Sequence, residues 1–384
     1  MGKRGATIST PVQWRGSVNI PQLSTLKRFE FSAARTLQGQ LQGDNFIVWV
    51  GVSGPLNPAT GMVINVTELK RTVNTVLDAY DHRNLDTQLR GQSPTLSLIT
   101  QALWADLAPQ FPAPLTLSNV ELEEEGGHQA RMNAHAIETV QRGMFSAAHR
   151  THAPRLSEAE NKKIYGICNN PAGHGHNYHV ALTLPPENIV PETVWAEFDH
   201  RNLSVDIPEL QGRNVVTETI AELIARRAPT ARRVRVWELP TFFAEYDVIQ
   251  NSYALGRRYW FNAAHRLNSP HLSKEENAQV YGKCNRPDPH GHSYMVEVTV
   301  AAPTLDPLTE TAYDLGRLDA VAAEILRPLH RVWLERDAPH FQTHPSTGEN
   351  IAAYVWQKFR EVLGPQLSSV IIWETPNNQF RVTA

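Results

Sequence analysis

Cys168 is followed by His174-Gly175-His176, and Cys284 by His290-Gly291-His292 at the same distance. The two motifs lie 116 positions apart, His149 and His265 repeat that offset upstream, and the chain has no other cysteine. His-x-His on a strand presents both rings on one face, because side chains alternate. A third imidazole from the preceding strand gives three neutral nitrogen ligands with a fourth position open, the arrangement of a catalytic zinc. The sequence thus offers two zinc sites, His149/His174/His176 and His265/His290/His292. Each has a thiol nearby in a polar loop, CNNPAGH or CNRPDPH. A cysteine beside a metal there can be held as thiolate and serve as base or nucleophile. Surface histidines, a disulfide between the two cysteines, or a structural zinc are the plainer readings. Duplication in register weighs against the first two, and a structural site usually closes with four ligands.

Two further patterns carry chemistry. Asp81-His82 opens DHRNLD and Asp199-His200 opens DHRNLS, supplying an orienting carboxylate and a proton relay. Glu238 and Glu374 end the apolar runs VRVWE and VIIWE, where an unpaired carboxylate is costly. A bidentate acceptor there suits a guanidine-like edge such as the N2–N3 face of a pterin. The plainer alternative is a glutamate exposed at a strand end.

These residues must be positioned by a repeated element. FSAAR at 31–35, FSAAH at 145–149 and FNAAH at 261–265 begin three units, read here as residues 20–130, 131–250 and 251–384. Each follows the order strand–strand–helix–helix–strand–strand. NFIVWVGV is β-rich, Leu69, Val73, Val76, Leu77 and Tyr80 recur at helical spacing, and Leu315, Leu318, Ala322, Ile325 and Leu329 do the same in unit 3. Ser346-Thr347-Gly348-Glu349 has capping-box spacing. The fold class is α+β, antiparallel sheets with helices on one face, and three units in one chain can close a ring that hides the sheet edges.

The 384 residues carry a net charge of −3, which argues against nucleic acid as a partner. No apolar run approaches a membrane span. The opening MGKRGATISTPVQWRG lacks the apolar stretch of a secretory signal, and two separated thiols suit the cytoplasm.

The segments FSAAHRTHAPRLSEAENKKIYGICNNPAGHGHNYHVALTL and FNAAHRLNSPHLSKEENAQVYGKCNRPDPHGHSYMVEVTV closely resemble the 6-pyruvoyltetrahydropterin synthase family, which includes the 6-carboxytetrahydropterin synthases of queuosine biosynthesis. The resemblance implies tunnelling-fold units whose twelve strands form a pseudo-trimeric barrel, and two stacked rings, here a homodimer of single chains. It implies a Zn2+ cofactor, 7,8-dihydroneopterin triphosphate as substrate and lyase chemistry. It makes Glu238 and Glu374 the pterin anchors and draws each catalytic Cys and Asp-His pair from neighbouring units. The competing reading is a non-catalytic pterin- or purine-binding protein descended from that family.

The departures matter. Unit 1 has Arg35 in the first ligand position and lacks the Cys and His-Gly-His segment, yet keeps Asp81, His82 and Glu124. In unit 3, His330-Arg331 replaces the Asp-His pair, and unit 2 is short before Asp199, which predicts a truncated first helix. If each thiol takes its pair from the preceding unit, Cys168 with Asp81-His82 and Cys284 with Asp199-His200 make two complete sites. That is the arrangement expected.

Overall fold

The computed structural model describes residues 22–384. The N-terminal stretch read above, and the expected start of unit 1 at residue 20, lie outside them. Unit 1 runs β1 (Gln22–Leu37), β2 (Gln40–Ser53), α1 (Val66–Leu77), α2 (Leu96–Leu107), β3 (Thr116–Glu123) and β4 (Gln129–Met132). Unit 2 has β5 (Ile137–His149), α3 (Glu158–Tyr165), β6 (His174–Leu184), α4 (Thr217–Arg227), β7 (Arg233–Leu239) and β8 (Phe242–Asp247). Unit 3 has β9 (Ser252–His265), α5 (Lys274–Tyr281), β10 (His290–Ala302), α6 (Leu315–Leu326), α7 (Gly348–Leu363), β11 (Leu367–Thr375) and β12 (Asn378–Thr383).

Every strand pairs antiparallel with its neighbours in sequence, and β12 pairs with β1, so the twelve strands close a barrel without an open edge. Alternation along each strand sends one set of side chains outward under the helices. Three apolar cores result, one per unit, such as Val48, Leu69 and Leu103 in unit 1. The inward set is polar and lines the tunnel, where Arg235 meets Glu245 at 2.9 Å and Arg258 meets Glu297 at 2.8 Å. In unit 2 the helix that corresponds to α1 and α6 is one turn, Thr193–Ala196, against twelve residues in each of those. Among the described residues, no helix is long and apolar enough to cross a membrane.

The strands that close each unit are short, and this opens clefts. His290–Tyr294 of β10 pair with β9 on one edge but have no β11 partner on the other, because that pairing starts at Met295. Across the gap, β1 loses β12 beyond Lys27. Three strand spacings separate those two free edges, roughly 14 Å. The same gap recurs between β6 and β9, and between β2 and β5. Each cleft is floored by a hairpin that Glu374, Glu238 or Glu124 enters.

Candidate metal centres and their clefts

His149 lies directly opposite His174 in the β5–β6 register, and His265 opposite His290 in β9–β10. His176 and His292 follow two residues on, hence on the same face. The ligand nitrogens of each triad lie within 4.8 Å of one another. His149 Nε2 and His174 Nε2 are 3.1 Å apart, and His265 Nε2 and His290 Nε2 are 3.0 Å apart. Two ligands on one tetrahedral zinc sit about 3.3 Å apart, given Zn–N bonds of about 2.05 Å. His149 Nδ1 is held by the Val215 carbonyl at 2.8 Å, and His265 Nδ1 by that of Ser346 at 3.0 Å. Nδ1–H donates there, which leaves the Nε2 lone pair facing its partners. Buried His174 Nδ1 and His176 Nε2 have no hydrogen-bond partner among the described residues. Burial pushes His149 and His174 below the usual histidine range, His265 down to about 3 and His292 to about 4. Neutral imidazoles with converging lone pairs fit a divalent metal.

The helices ahead of the thiols are fixed by matching devices. Ser157 with Glu160, and Ser273 with Glu276, form capping boxes. Gly166 and Gly282 then turn the chain at φ +53°, a conformation a side chain would strain. Cys168 and Cys284 follow, their carbonyls accepting from Thr151 and Leu267 at 3.0 Å. Burial and the Glu238 carboxylate push the Cys168 thiol up. Burial and Glu374 do the same to Cys284, with Lys283 opposing. The protein's own groups therefore favour the thiol. A thiolate in these loops needs an added positive charge.

Glu238 accepts from Thr217 Oγ1 at 2.7 Å and lies 3.4 Å from His176 Nε2, out of line for a hydrogen bond. Glu374 lies 3.8 Å from His265 Nε2, and burial lifts its carboxyl to about 7. Both border their triads.

Unit 1 fills the same place with an ion pair. Gln42 stands opposite Arg35, as His174 does opposite His149, and Asp44 takes the slot of His176 and His292. The Arg35 side chain, 2 % exposed, donates to Asp44 at 2.8 Å, to Glu124 and to the Pro94 carbonyl at 3.3 Å. Pro94 precedes its helix by two residues, as Val215 and Ser346 do. A guanidinium thus meets the groups that surround the metal position elsewhere. Gln42 and Asp44 were not singled out in the sequence; counting inward from the β1–β2 turn would have found them.

The Asp-His pairs sit at unit borders. Asp81 accepts from Ser32 N–H at 2.8 Å and lies 2.8 Å from His82 Nδ1; Asp199 and His200 repeat both contacts with Ser146. The adjoining Arg83–Asn84 pairs with Ala33–Ala34 on the edge of β1 not used by β2, the edge that meets β12 of unit 3. Arg201–Asn202 likewise lies on the unit 1 side of β5, and Val332–Trp333 on the unit 2 side of β9. Each Asp-His position therefore lies across the cleft from the triad and thiol loop of the preceding unit, which corrects the expected pairing. The thiol loop of unit 3 shares its cleft with Asp81-His82, and that of unit 2 with His330-Arg331. Asp199-His200 faces the Arg35 ion pair.

Contacts around the clefts follow the same order. Tyr281 Oη donates to the Thr60 carbonyl and Asn65 Nδ2 to that of Val280, both at 2.7 Å. Asn214 Nδ2 donates to the Thr309 carbonyl at 2.6 Å. Glu349 corrects another expectation. Thr347 rather than Ser346 caps α7, through Asn350 N–H, and Glu349 turns to unit 1, accepting from Thr25 Oγ1 at 2.8 Å and Val63 N–H at 3.3 Å. Glu218 does the same for unit 2, accepting from Ala312 N–H at 2.9 Å.

Comparison with known proteins agrees with the threefold repeat. Residues 25–135, 138–248 and 254–384 each match the family model described as 6-pyruvoyl tetrahydropterin synthase. The human 6-pyruvoyl tetrahydrobiopterin synthase is 43% identical over 126 residues, 32% of this chain and 86% of that protein. The Drosophila melanogaster protein of that name is 42% identical over 127 residues, 32% of this chain and 75% of its own. A putative 6-carboxy-5,6,7,8-tetrahydropterin synthase of Archaeoglobus fulgidus is 36% identical over 83 residues, 20% of this chain and 70% of that protein. Among solved structures, Caenorhabditis elegans 6-pyruvoyl tetrahydropterin synthase matches at 36% identity and TM-score 0.33, covering 34% of this chain and 94% of that one.

Proposed function

Since the chain belongs to the 6-pyruvoyl tetrahydropterin synthase family, we propose that it is a zinc-dependent lyase acting on 7,8-dihydroneopterin triphosphate in the cytoplasm. One cleft supports this best. Between units 3 and 1, the His265/His290/His292 triad and Glu374 border the gap whose other wall is the β1 edge that carries Asp81-His82, and Glu374 acts on Cys284. Glu374 accepts the guanidine edge of the pterin. Held near neutrality by burial, it gains most as a carboxylate once that edge supplies donors. His265, His290 and His292 would hold a zinc ion, which would supply Lewis acidity and the positive charge that favours a Cys284 thiolate. Cys284 moves the carbon-bound proton. His82 relays protons from the opposite wall, held by Asp81, whose carboxyl is kept below its usual range by the Ser32 N–H and by His82. Loss of triphosphate with oxidation of the side chain and reduction of the ring is an internal redox change and needs no outside reductant.

The identities to 6-pyruvoyl synthases favour the 6-pyruvoyl product over 6-carboxytetrahydropterin. A product assay separates them. The zinc-loaded chain should release triphosphate without acetaldehyde, whereas acetaldehyde indicates the 6-carboxy product. Absence of any product from a chain that binds the substrate supports the non-catalytic binder instead. The cleft assignment is checked by Asp81→Asn, which should cost 10²–10⁴-fold in kcat as loss of an acid–base group does. Asp199→Asn should retain most activity, and the reverse order refutes the assignment.

A further inference from the structure

The cleft between units 2 and 3 keeps its histidine triad, Cys168 and Glu238, but its opposite wall differs in one informative way. His330 occupies the position of Asp81, and its Nδ1 accepts the Asn262 N–H at 3.1 Å, as Asp81 accepts the Ser32 N–H at 2.8 Å. Arg331 occupies the position of His82 with the same backbone. Its φ is 60° against 55° for His82, and its N–H donates to the Asn262 carbonyl at 2.6 Å, as that of His82 does to Ser32. The frame is thus retained and the side chains exchanged. An arginine stays protonated and cannot exchange protons at neutral pH, whereas a histidine can. The Arg331 side chain is exposed and, among the described residues, has no hydrogen-bond or ion-pair partner. An unpaired fork of donors beside a cleft matches phosphate or carboxylate oxygens.

We infer that this cleft is a second ligand site, one that holds a pterin with an anionic side chain and does not turn it over. Glu238 receives the ring, and Arg331 the anionic tail. This rests on the pterin reading above, but its predictions concern binding. Its place beside the working cleft suits a reservoir or an effector site, because unit 3 contributes a wall to both.

The test uses the zinc-loaded full-length chain carrying Asp81→Asn, with neopterin triphosphate, the oxidised analogue, as probe. Calorimetry should count two equivalents per chain. Adding Arg331→Ala should weaken one of them about tenfold to a hundredfold, the range for a charge-assisted hydrogen bond, with zinc content unchanged. Arg331→Lys should recover part of that loss. A single equivalent with both zinc ions present, or two affinities unmoved by Arg331→Ala, overturns the inference. Adding His330→Asp with Arg331→His to the Asp81→Asn chain should restore turnover through this cleft. No turnover there overturns the claim that these two positions silence it. Two bound equivalents in a wild-type chain that makes no product would sink the synthase reading and leave this site standing.

Discussion

Arg35→Ala should destabilise unit 1 by about 2–4 kcal/mol. The side chain is 2 % exposed and pairs with both Asp44 and Glu124. Removing one partner of a buried pair costs about 3–5 kcal/mol, mostly the penalty of the charges left behind. Asp44 and Glu124 are 16 % and 19 % exposed, so water recovers part of that, which lowers the range. The assay is urea unfolding of the variant and parent, with and without a strong zinc chelator. The loss should be the same in both, because a guanidinium fills this position. His149→Ala, by contrast, should destabilise the zinc-loaded chain and lose most of its effect in chelator. An Arg35→Ala loss below about 1 kcal/mol, or one that chelator removes, refutes the view that Arg35 stands in for a metal.

Arg35→His with Gln42→His and Asp44→His should raise zinc content from two to three per chain, read by elemental analysis; a content that stays at two rejects the slot equivalence. Burial lifts Glu349 to about 7 from an ordinary 4.5, so the folded chain holds that proton more tightly than the unfolded one. Its contribution is full below about 4.5 and is lost as pH climbs to about 7, on the order of 3 kcal/mol at about 1.4 kcal/mol per unit. Glu349→Gln should therefore flatten the fall in melting temperature between pH 5 and 7.5, and an unchanged slope removes Glu349 from the account. Sedimentation should find two chains per particle, the homodimer of rings; a monomer at working concentration contradicts it.

The parts read correctly from sequence are those fixed within a hairpin or a repeat. His149 and His174 meet because two adjacent strands have one register, and α1 and α6 follow from apolar spacing in units 1 and 3, whereas α3 and α5, which lie between the first two strands of units 2 and 3, fall outside the expected order. The pairing of thiols with Asp-His did not follow, because it depends on which edge of β1, β5 and β9 carries the short parallel strand. Local sequence is silent on that choice. Glu349 shows the same limit, since a Ser-x-x-Glu pattern suits a capping box equally well until a neighbouring unit offers Thr25 and Val63 as donors. Cys168 and Cys284 show another: burial and a nearby glutamate favour the thiol, so the thiolate expected beside a metal rests on the charge of that metal and not on the loop around it.

Once each cleft is drawn from two units, the scattered losses acquire an order. Unit 1 has Arg35 in place of a histidine triad and has Asp81-His82, which lies across the cleft from the triad of unit 3. Unit 3 has kept its triad and lost the Asp-His pair that would face unit 2. Taken unit by unit, only unit 2 looks complete, yet neither of its halves meets a complete partner. Its triad faces His330-Arg331, and its Asp199-His200 faces Arg35. Completeness within unit 2 therefore does not make a complete cleft, and the two units that look depleted jointly border one cleft with a triad and an Asp-His pair. Fusing three copies into one chain is what permits this, because identical subunits must carry each substitution at every border, whereas a single chain can specialise its borders separately. One border then holds an ion pair where the others hold a histidine triad, one has His330-Arg331 where the others have Asp-His, and the third has both a triad and an Asp-His pair.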